Sequence, residues 1–171
     1  MTCAIRDARD GDADGIIALI GAVYAEYPGC VLDVDREEPE LRAIAAAYAA
    51  PDARFWVAEA DGPGGRRVVA CVGMRARGDV VDLKKLYMDA SLRGSGLADQ
   101  LHGLVLDEAR RRGARAVELW SDTRFERAHR FYEKRGYVRG AATRDLHDVS
   151  ATTEYFFRLT LERATIPKEK R

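Results

Sequence analysis

Cysteine and histidine are both scarce in this chain, three of each among 171 residues. Cys3, Cys30 and Cys71 are an odd, scattered set with no C-x-x-C, which argues against a disulfide framework or a structural zinc site and points to a reducing compartment. The histidines are dispersed and make no ligand cluster, so no metal is implied. Net charge is also missing. Lys+Arg and Asp+Glu stand at 28 each, so nothing global recruits nucleic acid or an anionic membrane. No run of 18 apolar residues occurs, and the opening "MTCAIRDARDGDADG" has neither a basic n-region nor an apolar h-region, so the expected location is the cytoplasm, without a membrane partner. Finally, no Gly-Lys pair exists, which removes the triphosphate-binding loop G-x-x-x-x-G-K-[ST].

What is present reads as one globular domain. Hydrophobic residues make up 47% of the chain and charged residues 33%, and the length suffices for a real core. The domain is placed at residues 1–163, followed by a polar tail over 164–171 ending in "PKEKR". "TCAIRDA" reads as a strand. Asp10, Asp12 and Asp14 offer N-cap oxygens ahead of "GIIALIGAVYAEY", whose Ile16, Ile17, Leu19, Ile20 and Val23 recur at helical spacing. A second helix is predicted in "EEPELRAIAAAYAA", with Pro39 in its first turn and Pro51 beyond its end.

Alternation then takes over. "RFWVAEA", "RRVVACVGMRA" and "VVDLKKLYM", separated by "DGPGG" and "RGD", predict a three-stranded antiparallel meander. "GLADQLHGLVLDEARRRG" places Leu97, Leu101, Leu104, Val105 and Ala109 on one helical stripe, with arginines at the C-terminal end and Gly113 as the stop. "ARAVELW" follows as a strand, so strand–helix–strand implies a right-handed parallel crossover. "RFERAHRFYEKRG" is the next helix, and "YVRGAATRDL" and "TEYFFRLTLE" close as strands. The predicted order is β-α-α-β-β-β-α-β-α-β-β: an α/β (α+β) fold with a mixed, mostly antiparallel central sheet and one parallel crossover.

The loop "SLRGSGLADQLHG" (Ser91–Gly103) crowds small residues at a helix start, where backbone N–H groups and the helix dipole favour an anion. A dinucleotide fingerprint G-x-G-x-x-G would need a third glycine where Asp99 stands, an anion that would face the phosphates. Arg93-Gly94-Ser95-Gly96-Leu97-Ala98 instead matches R-x-x-G-x-[GA]. With its flanks, "DLKKLYMDASLRGSGLADQL" resembles the acetyl-CoA-binding segment of the GNAT superfamily of N-acetyltransferases. Downstream, "AHRFYEKRGY" (Ala128–Tyr137) resembles that superfamily's second signature, A-x-x-x-Y-x-x-x-G-[FY]. Both signatures lie in order on the expected elements, and the resemblance covers nearly the whole chain.

Residue chemistry and resemblance converge on the same assignments. Gly94 and Gly96 let the backbone approach a pyrophosphate, Ser95 offers a hydroxyl, Ala98 leaves the approach unhindered, and Arg93 brings positive charge. The resemblance implies that amides from Arg93 through Leu97 to Ala98 carry the pyrophosphate contacts. It also implies that Leu86-Tyr87-Met88 ends a strand splayed from "AVELW", with the pantetheine arm of acetyl-CoA in the gap and one N–H polarising the thioester carbonyl. Tyr132 is the candidate general acid: a phenol of pKa about 10 stays protonated at neutral pH and can donate to a departing thiolate of pKa about 8.5. Phe125, Ala128 and Tyr132 share a helix face. Asp82, Glu118, Asp122, His129 and His147 remain alternatives for the base. In the superfamily that the chain resembles, many members carry a cofactor-contacting Asn where this chain has Phe125, a departure that bears on that side-chain contact and leaves the backbone sites intact.

The link between the first two helices, "YAEYPGCVLDVDREEPE", falls where this fold builds one wall of the acceptor pocket. Tyr24, Tyr27, Asp33 and Asp35 are the candidates to surround a cationic amine. No cysteine lies in either signature, which favours direct attack in a ternary complex over an acyl-enzyme. The expected partner is therefore a small-molecule amine, without nucleic acid; a homodimer is compatible with the sequence. Two alternatives stay open: a non-catalytic acyl-CoA-binding sensor, and a transferase acting on protein N-termini or lysines.

Overall fold

A computed structural model describes residues 3–62 and 64–162; the 164–171 tail expected from the sequence lies outside them. Seven strands form one sheet in the order β1-β2-β3-β4-β5-β7-β6. They are β1 (Cys3–Asp7), β2 (Ala53–Gly62), β3 (Gly65–Arg77), β4 (Val80–Met88), β5 (Ala116–Asp122), β6 (Val138–Asp145) and β7 (Thr153–Thr160). The helices are α1 (Ala13–Tyr24), α2 (Ile44–Ala47), α3 (Leu97–Arg111) and α4 (Glu126–Glu133). All pairings are antiparallel except β4 with β5. The mixed sheet with its single parallel crossover is the fold that the sequence pattern predicts.

Each sheet face has its own core. Leu97, Leu101, Val105 and Ala109 of α3 recur at the helical period and pack, with Tyr132 of α4, against Val81, Leu83, Val117, Leu119 and Phe157. On the other face Ile16, Leu19 and Ile20 of α1, with Leu41, Ile44 and Tyr48, cover Phe55, Val57 and Cys71. Gly113 at φ 69° and Gly136 at φ 88° end α3 and α4 as left-handed stops.

The second helix departs from expectation. It is a five-residue 3-10 turn over Pro39–Ala43 and then only the single α-turn of α2. Leu41 and Ile44, both fully buried, stand three apart, the spacing that eclipses on a 3-10 helix, and Ala43 leaves the helical region at φ −141° and ψ 57°. The amides of Ala45 and Ala46 donate to Asp10 Oδ1 at 2.9 and 3.3 Å, so an aspartate expected to cap α1 caps α2 instead. Asp12, at the α1 N-cap position, makes no side-chain cap; it receives a bidentate pair from Arg6 at 2.7 Å.

Two irregularities in the sheet shape the site. β4 and β5 pair only over Val80–Asp82 with Ala116–Glu118, and beyond that point they part. In β4, Tyr87 faces Cys71 while Lys84 faces Gly73, so one extra residue is bulged out. Lys85, inside the bulge, sits at φ 53°, a left-handed conformation that a non-glycine residue adopts at a cost. A bulge bends and twists its strand, and this one lies where β4 leaves β5.

Candidate active site

The parting of β4 and β5 opens a cavity of about 1110 Å³. Leu86 and Tyr87 line it from β4, Leu119 to Asp122 from β5, and Phe125, Ala128 and Tyr132 from the start and body of α4. Phe125, Ala128 and Tyr132, predicted to share one helix face, thus converge on one wall. Asp89 N–H donates back to Val69 O at 2.8 Å, so alternation along the strand turns the Met88 N–H to the opposite side, toward the gap. Met88 itself packs against the core behind the gap.

The glycine loop has the expected backbone. Gly94 and Gly96 have φ of 80° and 83°, and a Cβ at either would meet nothing within 4 Å, so the space before the loop is open. Arg93 N–H donates to Ala90 O at 3.3 Å and Ser95 N–H to Leu92 O at 3.2 Å. Leu97 N–H reaches Ser95 Oγ at 3.3 Å. That leaves the N–H groups of Gly94, Gly96, Ala98 and Asp99 without an acceptor among the described residues, at the N-terminus of a 15-residue helix. The Arg93 guanidinium already pairs with Glu26 at 2.5 Å and holds that carboxyl below its ordinary range. Asp99 does not confront the loop as a bare anion: Arg135 Nε binds it at 2.7 Å.

Tyr132 is buried, packed on Tyr137 and Phe157 at ring separations of 5.4 and 6.0 Å. Burial alone pushes its hydroxyl well above the usual phenol range, so it is protonated throughout the neutral range. The base candidates are engaged. Arg77 holds Asp82 at 3.2 Å and Glu118 at 2.8 Å, and Arg158 pairs with Glu118 as well. Arg124 forms a bidentate pair with Asp122. His129 Nε2 lies 3.0 Å from Asp122 O, and burial lowers the ring's pKa. His147 lines the cavity from the segment before β7.

The acceptor-side candidates divide. Tyr24 and Asp33 line the cavity. Tyr24 meets Tyr87 hydroxyl to hydroxyl at 3.3 Å and packs on Phe125 at 5.9 Å. Tyr27 lies outside that lining and packs on Phe125 at 4.7 Å, so Phe125 ties the segment after α1 to the start of α4. Asp33 accepts the Arg36 amide at 3.1 Å. Asp35 points elsewhere, 75% exposed and paired with Arg42 at 2.7 Å.

Four residues that sequence reasoning did not single out stand in the same cavity. Lys85, turned inward by the bulge, pairs with Glu38 and lies 3.2 Å from Glu40. Burial pushes the Glu38 carboxyl up. Arg75 places its guanidinium 4.6 Å from the Tyr48 ring centre. No motif marks these residues, because the α1–α2 link, β3 and β4 meet only in the fold.

Comparison with known proteins identifies the family and the fold. Residues 20–137 match the model of the acetyltransferase (GNAT) family. The chain is 29% identical over 130 residues to the uncharacterized N-acetyltransferase YjgM of Escherichia coli, covering 74% of this chain and 76% of that one. It is 32% identical over 126 residues to the N-acetylaspartate synthetase of Danio rerio, spanning 72% of this chain but only 42% of that protein. Among solved structures, the putative acetyltransferase yncA of Salmonella typhimurium, determined with acetyl-CoA, superposes with a TM-score of 0.71 at 18% identity, over 99% of this chain and 100% of that one. Among the described residues no helix is long and apolar enough to cross a membrane, and no group of three or more His, Cys, Asp or Glu is placed to hold a metal. The chain belongs to the acetyltransferase (GNAT) family and is an acetyl-CoA-dependent acetyltransferase.

Proposed function

We propose that this enzyme moves the acetyl group of acetyl-CoA directly onto a primary amine of a small molecule, within a ternary complex. The carrying observation is the opening between β4 and β5 with Tyr132 on its wall, together with the free-amide loop that follows β4 in the chain. The residues fit the carrier: Gly94, Gly96 and Ala98 offer unpaired amides for a diphosphate, and the open space before them admits it. Arg93 adds its charge by exchanging Glu26 for phosphate. When bound, acetyl-CoA supplies an acyl group activated as a thioester.

The chain's own residues do the rest. The Met88 N–H faces the gap, where it can donate to the thioester carbonyl as charge builds on that oxygen. The Tyr132 hydroxyl keeps its proton until the thiolate departs. Direct attack is supported by the state of the cysteines. Cys30 reaches the cavity wall, but burial and the neighbouring Asp122 carboxylate push its thiol up. Cys71 is fully buried with its thiol pushed up to about 12. Neither is a ready thiolate nucleophile. The acceptor must arrive without, or lose to solvent, the extra proton of its ammonium form; at pH 7 that costs about 1 kcal/mol for an α-amine and about 4.6 kcal/mol for an alkyl amine. Glu38 and Glu40 share one lysine, which leaves an excess of negative charge to draw an ammonium into the cavity.

The test is free-thiol release from acetyl-CoA across a panel of small amines, with mass spectrometry of each product. Thiol release coupled to an acetylated amine is expected. Binding of acetyl-CoA with no release for any amine would assign the chain to the sensor reading instead.

A further inference from the structure

We propose that Arg75 is the carboxylate anchor of the acceptor subsite, so that the amine substrate is amino-acid-like and carries a carboxylate within a few bonds of the reacting nitrogen. The proposal rests on the small-amine reading above and adds the other half of the molecule.

Three of the cavity's five lysine and arginine side chains are matched by carboxylates. Arg77 is held by Asp82 and Glu118, Lys85 by Glu38 and Glu40, and Arg144 by Glu154. Arg75 lines the same cavity and has no carboxylate partner among the described residues. It is nonetheless fixed. One terminal nitrogen donates to Ala47 O at 2.6 Å, and the guanidinium plane lies over Tyr48. Tyr48 is itself immobile: it is buried, packs edge-on against Phe55 at 5.0 Å, and sits so close to Gly73 that a Cβ there would be 3.0 Å from its ring.

A guanidinium held in place, half-buried and left without a counter-ion keeps its remaining N–H groups for a planar anion, which it grips with two parallel hydrogen bonds. Lys84 reinforces this. It lines the cavity, is exposed, and also has no carboxylate partner among the described residues. In the β3–β4 register Gly73 faces Lys84 and Arg75 faces Asp82, so side-chain alternation puts Arg75 and Lys84 on one face of neighbouring strands. Arg75 and Lys84 are thus the two lysine and arginine side chains of the cavity without a carboxylate partner among the described residues. An amine without an acid would leave both unmatched.

The experiment measures thiol release for pairs of acceptors differing only in the carboxylate: phenylalanine against phenethylamine, and lysine against cadaverine. Aspartate, asparagine and isoasparagine are added to tell an α-carboxylate from a side-chain one. Each is tested with the intact enzyme, Arg75→Lys and Arg75→Gln; glutamine retains a donor for Ala47 O. The intact enzyme is expected to show a KM about 10- to 100-fold lower for the acid-bearing member that it accepts. Arg75→Gln should abolish that preference while kcat and acetyl-CoA affinity stay within about twofold, and Arg75→Lys should retain part of it. Equal KM values for acid-bearing and acid-free amines in the intact enzyme would overturn the proposal. So would an Arg75→Gln variant that raises both KM values alike, since that is the mark of a structural role. An enzyme that binds acetyl-CoA but releases thiol with no acceptor would overturn the transferase reading itself, a result distinct from either.

Discussion

Replacing Gly96 by valine isolates the contribution of the loop. Gly96 has φ 83°, and a Cβ added there meets nothing within 4 Å, so the substitution creates no clash in the protein alone. The effect is conformational. A left-handed backbone costs an L-residue about 1–2 kcal/mol, and a β-branched side chain lies at the upper end. A valine loop strained by about 2 kcal/mol keeps the present conformation in roughly 3% of molecules, so the apparent Kd for acetyl-CoA rises about 30-fold. Alanine, strained by about 1 kcal/mol, should give about fivefold. Both side chains would also project into the open space before the loop, where the diphosphate is proposed to bind, so these figures are lower bounds. Isothermal titration with coenzyme A and acetyl-CoA reads the effect, and thermal melts check that the fold persists. A valine variant with unchanged affinity and an unchanged melting curve would refute the assignment of this loop to the diphosphate.

Other perturbations address separate parts of the account. Tyr132→Phe should lower kcat by about 100-fold or more, as loss of a general acid does, and leave acetyl-CoA affinity nearly unchanged; stopped-flow and titration together separate the two. Gly73→Ala should destabilise the fold by about 1–3 kcal/mol, because its Cβ would lie 2.8 Å from the Phe55 ring and 3.0 Å from Tyr48; urea unfolding measures this. His102 is buried beside Tyr137, and burial lowers its pKa to about 4 from an ordinary 6.5. Its contribution is therefore complete above pH ~6.5 and lost as pH falls toward 4, up to about 3 kcal/mol. Urea midpoints measured between pH 7 and pH 4.5 should fall in the native chain and fall less in His102→Gln.

The fold was legible because its cues are local. The alternation in "RRVVACVGMRA" and "VVDLKKLYM", the Leu97–Ala109 stripe and the Gly113 stop each decide their element within a few residues. The second helix was misread for a reason the sequence hides: Asp10, 35 residues upstream, claims the Ala45 amide, and the Leu41–Ile44 spacing serves a 3-10 turn as well as an α-helix. The loop and Tyr132 stand out in the sequence as motifs, and the roles given to them are proposals. Lys85, Glu38 and Arg75 do not stand out, because their meaning comes from pairing across 47 residues, from a bulge, and from an absent counter-ion. Asp35 was read as a substrate contact by proximity in the chain, yet it turns outward to Arg42.

Purified enzyme mixed with acetyl-CoA and each acceptor of the amine panel, with thiol release followed in real time and products weighed, reads acetyl transfer itself. Coenzyme A should be released stoichiometrically with an amine product one acetyl group heavier, fast in the intact enzyme and largely lost in Tyr132→Phe. Release with no acetylated amine, or equal turnover in the two proteins, would contradict the proposed reaction.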